Sequence, residues 1–200
     1  MNIELGYDTR IQTVTVPEDR LLAVLEPSAF PPTAGSEEDL IRAALVAPIG
    51  APPLREVVNA GEKIVLVTSD ISRPMPTWKV MPAVLDELYA AGARPEDITL
   101  VFARGVHRAH TDAERRHLAG ERAFSEITCI DSDPEDCLCL GTTRRGTPVE
   151  IMRAVAEADR RICLGNIEFH YFAGYSGGAK AIIRTDNHNP FLFGFIPKDL

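Results

Sequence analysis

The sequence predicts an α/β fold: a mostly parallel sheet flanked by helices on both faces, Rossmann-like, with a small mixed strand region at the N-terminus. Three observations predict it. The runs "EKIVLVT", "DITLVFA" and "RRICLGN" are continuously apolar, as strands covered on both faces must be. Segments with apolar residues at helical spacing lie between them. The resulting order, strand then helix then strand, requires right-handed crossovers and therefore parallel pairing.

The elements follow in chain order. "NIELGY" and "RLLAVLEP" read as short strands. "AFPPTAGS" is a turn-rich break, and Ser36 then caps a helix "EEDLIRAALVA" with acids in its first turn. "PIGAPPL" breaks the chain again. After the strand "EKIVLVT" comes a helix with Met81, Val84, Leu85 and Leu88 on one face. Pro82 fits only in its first turn, and Gly92 suits its C-terminal cap. "DITLVFA" leads to a helix "TDAERRHLAG", with Thr111 as N-cap and Gly120 as stop. "EITCID" is the next strand, "GTTRRGTPVEI" reads as a hairpin, "IMRAVAEAD" as a helix, and "RRICLGN" closes the series.

Composition narrows the function classes. Two hundred residues with 45% apolar content suffice for one packed domain. The net charge is −8 with no basic stripe, which argues against a nucleic-acid binder. No apolar run approaches the roughly 18 residues of a membrane span. "MNIELGYDTR" lacks the basic and apolar regions of a signal peptide, so a cytoplasmic location is expected. Cys129, Cys137, Cys139 and Cys163 are expected as reduced, mostly buried thiols, because no second Cys pair stands at zinc spacing.

The polar clusters fall after strands. "SDISRP" follows the first apolar run, "RGVHR" the second, and "NIEFHYFAGYSGGAK" the run "RRICLGN". Ligands bind beyond the carboxyl ends of strands in open α/β sheets, so Asp70, Arg73, His107, His170 and Lys180 should share one rim. Asp70 and Arg73 suit either a local ion pair closing a turn or an arginine fork aimed at an anion. His107 is placed to exchange a proton near neutral pH. His110 reads as a helix cap or a solvated residue. The two form a His-x-x-His pair with no third metal ligand near them in sequence.

"HYFAGYSGGAK" is the densest motif. Its glycines allow close backbone approach, and Lys180 adds a charge near a helix start, so the loop suits an anion such as phosphate. It lacks Walker A spacing. "GYSGG" also matches Gly-x-Ser-x-Gly, which raises a serine hydrolase at Ser176. However, that serine comes about ten residues after the strand instead of at its end, and only His188 follows it.

These clusters, in this order, resemble the N-terminal domain of the nickel-dependent lactate racemase family. The resemblance covers roughly residues 3–183 through "SDISRPMPT", "GVHRAHTDAE", "RGTPVEI", "VAEAD" and "GNIEFHYFAGYSGGAKAII". It implies a domain over 1–183, a divergent tail over 184–200, and a second family domain that these residues do not include. It implies inversion of a small 2-hydroxy acid by hydride transfer. The cofactor would be a nickel pincer nucleotide, nickel pyridinium-3,5-bisthiocarboxylic acid mononucleotide, tethered to Lys180 and made by cofactor-biosynthesis proteins. His107 and His170 would be the paired acid/base groups and Arg73 the holder of the substrate carboxylate. Asp70, Ser176 and Gly177 would lie near the ribose and phosphate.

Departures from the family pattern are also visible. The family's nickel-ligating Asn-His stands farther from the lysine than Asn187–His188 does here, which makes His188 the candidate metal ligand by type alone. Arg104 replaces a usually small residue and Met152 a usual asparagine. A second-domain chain or a homo-oligomer is the expected partner. A non-catalytic remnant, or an anion-binding or nucleotide-binding subunit needing a second chain, is the alternative reading.

Overall fold

A computed structural model describes residues 1–24, 34–73, 75–105, 107–170, 174–178 and 182. The chain divides into two compact units, Met1–Ala34 and Gly35–Leu200. In the first, β1 (Asn2–Tyr7) and β2 (Arg10–Thr15) form an antiparallel hairpin in which Tyr7 faces Arg10. The turn Asp8–Thr9 is tight, with Asp8 at φ 56°, a conformation that aspartate tolerates better than most residues. β2 was not anticipated, because Asp-Thr is a weak turn signal compared with Asn-Gly. The expected strand "RLLAVLEP" does not form over its described part: Arg20 ends a 3-10 turn, Glu18–Arg20, and residues 21–24 carry no regular structure.

The second unit begins with α1 (Glu37–Val46), where Ser36 and Asp39 make a reciprocal capping box. A short α2 (Leu54–Val57) follows. The sheet then forms from β3 (Ile64–Ser69), β4 (Ile98–Ala103), β5 (Thr128–Asp131) and β8 (Arg160–Leu164), all parallel, in the order β5-β4-β3-β8. β6 (Cys137–Thr142) and β7 (Pro148–Met152) make the expected hairpin. β9 (Phe169–His170) and β10 (Gly174–Tyr175) form a small antiparallel pair.

Alternate residues of each strand feed two cores, as strand geometry requires. Ile64, Leu66, Ile98, Leu100 and Phe102 pack against α3 (Thr77–Ala90), α4 (Asp112–Ala119) and α5 (Glu121–Glu126). Val65, Val67, Val101 and Ala103 pack on the other face against Ile151, Met152 and Val155, from β7 and α6 (Arg153–Ala156). The second face is therefore covered by a short helix and a hairpin end. The helix expected from "IMRAVAEAD" shrinks because Ile151 and Met152 finish β7.

Two helix boundaries differ instructively from expectation. α3 starts at Thr77, so Pro82 sits in its second turn, and the proline ring removes one internal hydrogen bond there. Thr77 itself is buried, its hydroxyl 2.7 Å from that of Thr68, which ties the end of β3 to the start of α3. Thr111 caps α4 by a capping box with Glu114, and Gly120 ends it at φ +81°. A Cβ at Gly120 would lie 3.2 Å from that of Trp78, so the close approach of α3 also requires glycine. No helix of the described residues is long and apolar enough to cross a membrane.

Leu66→Ala tests the core. Leu66 is fully buried. Its truncation should cost about 2–5 kcal/mol and lower Tm by roughly 5–15 °C in calorimetry. Val46→Ala, at an exposed position on α1, should change stability by less than about 0.5 kcal/mol.

Candidate functional site

The strand order decides where a site can form. β3, β4 and β5 run outward in one direction, and the chain then returns to place β8 on the other side of β3. The crevice between the loops after β3 and β8 is thus the topological switch point of the sheet. Residues 70–73 leave β3 there, residues 104–110 leave β4, and residues 165–178 leave β8.

Asp70 is buried, and both its carboxylate oxygens are engaged. Oδ1 accepts hydrogen bonds from the backbone N–H of Ser72 at 2.8 Å and from the Ser72 hydroxyl. Oδ2 lies 2.6 Å from His107 Nδ1. Burial is the strongest influence on this carboxyl and pushes its pKa up. The hydrogen bonds from the Ser72 side chain, His107 and the Ser72 backbone together outweigh it and hold the pKa below the ordinary value. The Asp70–Arg73 ion pair does not form. Their turn is closed instead by the Arg73 N–H donating to the Asp70 carbonyl at 3.1 Å.

Arg73 is left differently placed. Its Nε is buried and, among the described residues, has no hydrogen-bond partner. A buried guanidinium N–H without an acceptor is costly, and a bound anion would satisfy it.

His107 is partly exposed, with Nδ1 held by Asp70 and Nε2 the remaining ring nitrogen. Its loop is pinned by Arg104. Arg104 Nε donates to the Ser132 carbonyl at 3.0 Å, and Nη1 donates to the carbonyl of His107. Ser132 is itself buried, and its hydroxyl accepts from the Arg104 backbone N–H at 3.2 Å. Sequence reasoning missed Ser132 and Asp131. The available signal was their place directly after "EITCI" on the same sheet edge.

His110 is neither a cap nor solvated. It is 6% exposed and packs its ring against Phe102. Its Nδ1 lies 2.6 Å from Asp131 Oδ1, and Nε2 accepts from the Ile71 N–H at 3.1 Å. His107 and His110 thus take different partners, and the described residues contain no cluster able to hold a metal ion. Of the cysteines, Cys139 is exposed instead of buried. Burial pushes the thiol of half-buried Cys129 up to about 11.

The loop after β8 folds back on itself. Ser176 Oγ donates to the Asn166 carbonyl at 3.0 Å and accepts from the Glu168 N–H at 3.2 Å, while the Ser176 N–H donates to the Glu168 carbonyl at 2.9 Å. The Ser176 proton is directed to a carbonyl and, among the described residues, to no general base, which weighs against the hydrolase reading. Gly177 has φ +83°, and a Cβ there would come within 2.8 Å of the Asn166 oxygen. Gly177 therefore serves a close approach of the loop to its own backbone at Asn166. His170 pairs with Gly174 through the backbone. Lys180, His188 and residues 184–200 lie outside the described residues.

A family model for the lactate racemase N-terminal domain matches residues 7–185. The chain belongs to this family. The racemase N-terminal domain is 32% identical over 186 residues to a lactate racemase of Thermoanaerobacterium thermosaccharolyticum, covering 91% of this chain and 43% of that one. It is 30% identical over 185 residues to a lactate racemase of Lactiplantibacillus plantarum, covering 90% and 43%. The solved structure of the T. thermosaccharolyticum lactate racemase apoprotein superimposes with a TM-score of 0.77 at 30% identity, over 93% of this chain and 44% of that one. A crystal structure of a Thermotoga maritima protein matches with a TM-score of 0.57 at 21% identity, over 74% and 38%, and shares the fold. The chain thus spans under half the length of the curated relatives that it matches.

Proposed function

We propose that this lactate racemase-type domain takes part in inverting a small 2-hydroxy acid, with His107 and His170 as the paired proton handlers. The observation that carries the reading is the Asp70–His107 pair on the loops after β3 and β4, with Arg73 on the same loop as Asp70 and its buried Nε without a hydrogen-bond partner among the described residues. Arg73 would receive the substrate carboxylate in its fork, satisfying its buried N–H. Asp70 would keep the proton of His107 on Nδ1, which leaves the Nε2 lone pair to take the substrate's hydroxyl proton. His170, in the β9–β10 pair, would do the same from the opposite face.

This reading calls for the family cofactor. Lys180 would tether the nickel pincer nucleotide, Ser176 and Gly177 would shape the loop around its phosphate, and His188 is the candidate nickel ligand. When bound, the nucleotide would supply the acceptor for the hydrogen of carbon 2 as a hydride. Asp70 belongs to His107 by its contacts, so its part in the cofactor site would be played through that histidine. Residues 1–183 would form this domain and 184–200 a tail. The remaining family length would come from a second domain or chain and exclude water from the rim. Cofactor-biosynthesis proteins would load the site, in the cytoplasm.

The test is racemisation of L-lactate by the chain after co-expression with a cofactor-biosynthesis system and supply of the remaining family portion. Loss of optical activity is expected, and His107→Ala and His170→Ala should each abolish it while sparing cofactor attachment. Persistent optical activity, with an intact relative active under the same conditions, would favour an anion-binding role. Arg73→Lys keeps the charge but loses the fork, and should raise KM by roughly ten- to a hundredfold with a smaller change in kcat. An unchanged KM would remove Arg73 from carboxylate binding.

A further inference from the structure

His110 is a buried imidazole for which the proposed chemistry has no use, and its bonding is directional. The Ile71 N–H can only donate, so Nε2 must accept and Nδ1 must carry the proton that goes to Asp131. Asp131 takes a second bond from the His110 backbone N–H at 2.7 Å. The ring is thus anchored through a carboxylate at the end of β5, packed at a tilt against Phe102 of β4, and bonded to the residue next to Asp70. His110 stands on the same loop as His107 while gripping the loop that carries Asp70.

We propose that His110 is a positioning residue: as a cross-brace between the β3 and β4 loops, it sets the Asp70–His107 separation and thereby the tautomer that His107 presents. This rests on the reading of His107 as the proton-transfer group. The 2.6 Å Asp70–His107 bond joins the two loops. Ser72 fixes the Asp70 carboxylate within its own loop, and Arg104 fixes the His107 backbone within the other. Among the described residues, the only other hydrogen bond between the two loops at that pair is the long contact of the Ser72 hydroxyl with His107 Nδ1 at 3.4 Å, and the His110–Ile71 bond, at 3.1 Å, ties the loops beside it. Without it, the Ile71 N–H loses its acceptor and the Asp131 carboxylate loses its ring donor.

The test reads His107 directly, without cofactor or substrate. Long-range proton–nitrogen NMR of the 200-residue chain reports which ring nitrogen of His107 carries the proton. The wild type should show the Nδ1–H form as predominant. His110→Ala should reduce it to a minority, with exchange of the Ile71 amide at least about tenfold faster. His110→Gln should restore it, because its amide oxygen can accept from Ile71 and its NH₂ can donate to Asp131. If His110→Ala lowers Tm but leaves the His107 pattern unchanged, His110 is packing alone and the proposal falls. If that variant does not fold, Asp131→Asn weakens the same brace more gently and should shift the His107 pattern part-way. No shift in that variant overturns the proposal equally. Because racemisation is not read, failure of the racemase reading would leave this result standing, and the converse also holds.

Discussion

Asp70→Asn should lower the racemisation rate by roughly 10²–10⁴-fold, the usual worth of a general acid/base group, while leaving cofactor attachment intact. Asparagine replaces one carboxylate oxygen with NH₂. If its oxygen stays toward the two Ser72 donors, its NH₂ faces His107 Nδ1, which must then accept. The imidazole proton moves to Nε2, the atom required to be free. The opposite flip sets NH₂ against two donors at a buried position and costs about 1–3 kcal/mol for the unmet groups. That penalty favours the first arrangement, so the variant is expected to fold but to hold the wrong tautomer. Unchanged turnover would show that Asp70 does not act through His107.

The same variant carries a pH signature. The Asp70 pKa lies below its ordinary value near 3.8, so ionised Asp70 favours the folded state. That contribution is fully present above the ordinary value and is lost as pH falls through the lowered one, below about pH 4. Glu62 and Glu114 are each held at about 2, by Arg160 with Asn59 and by Arg108 with Thr111. They titrate alike in both proteins, so the difference between wild-type and Asp70→Asn stability curves isolates Asp70. That difference should shrink on acidification below pH 4, as read by denaturant unfolding. A difference that stays constant would contradict the hydrogen-bond account.

Lys180→Ala should eliminate covalent cofactor completely. After co-expression with a cofactor-biosynthesis system, intact mass should show the added group on the wild type, and peptide mapping should place it on Lys180. The alanine and arginine variants should both be unmodified. Forming the tether needs a nucleophilic amine, and a guanidinium keeps the charge without that chemistry. Both variants should melt within about 2 °C of wild type, as expected if Lys180 serves attachment and not folding. An added mass persisting in Lys180→Ala would locate the attachment elsewhere. Unfolding of both variants would make Lys180 structural and leave the loop as an anion cradle.

The sequence alone determined the periodic and local features. The apolar runs at residues 64–67, 100–103 and 162–164 mark buried strands of the sheet, and that pattern needs no knowledge of neighbours. Ser36 with Asp39 and Thr111 with Glu114 cap helices through contacts three residues apart, so they too are legible. The placement of Asp70, Arg73 and His107 on one rim followed from strand polarity alone. Partnership did not. Asp70 bonds an imidazole 37 residues away instead of Arg73 three residues away. His110 reaches Ile71 and Asp131 across 39 and 21 residues. Such pairings depend on how β3, β4 and β5 align side by side, which parallel registry sets and no local periodicity encodes. The return of the chain to β8 beside β3 was likewise decided by packing, since "RRICLGN" would read the same at either edge of the sheet.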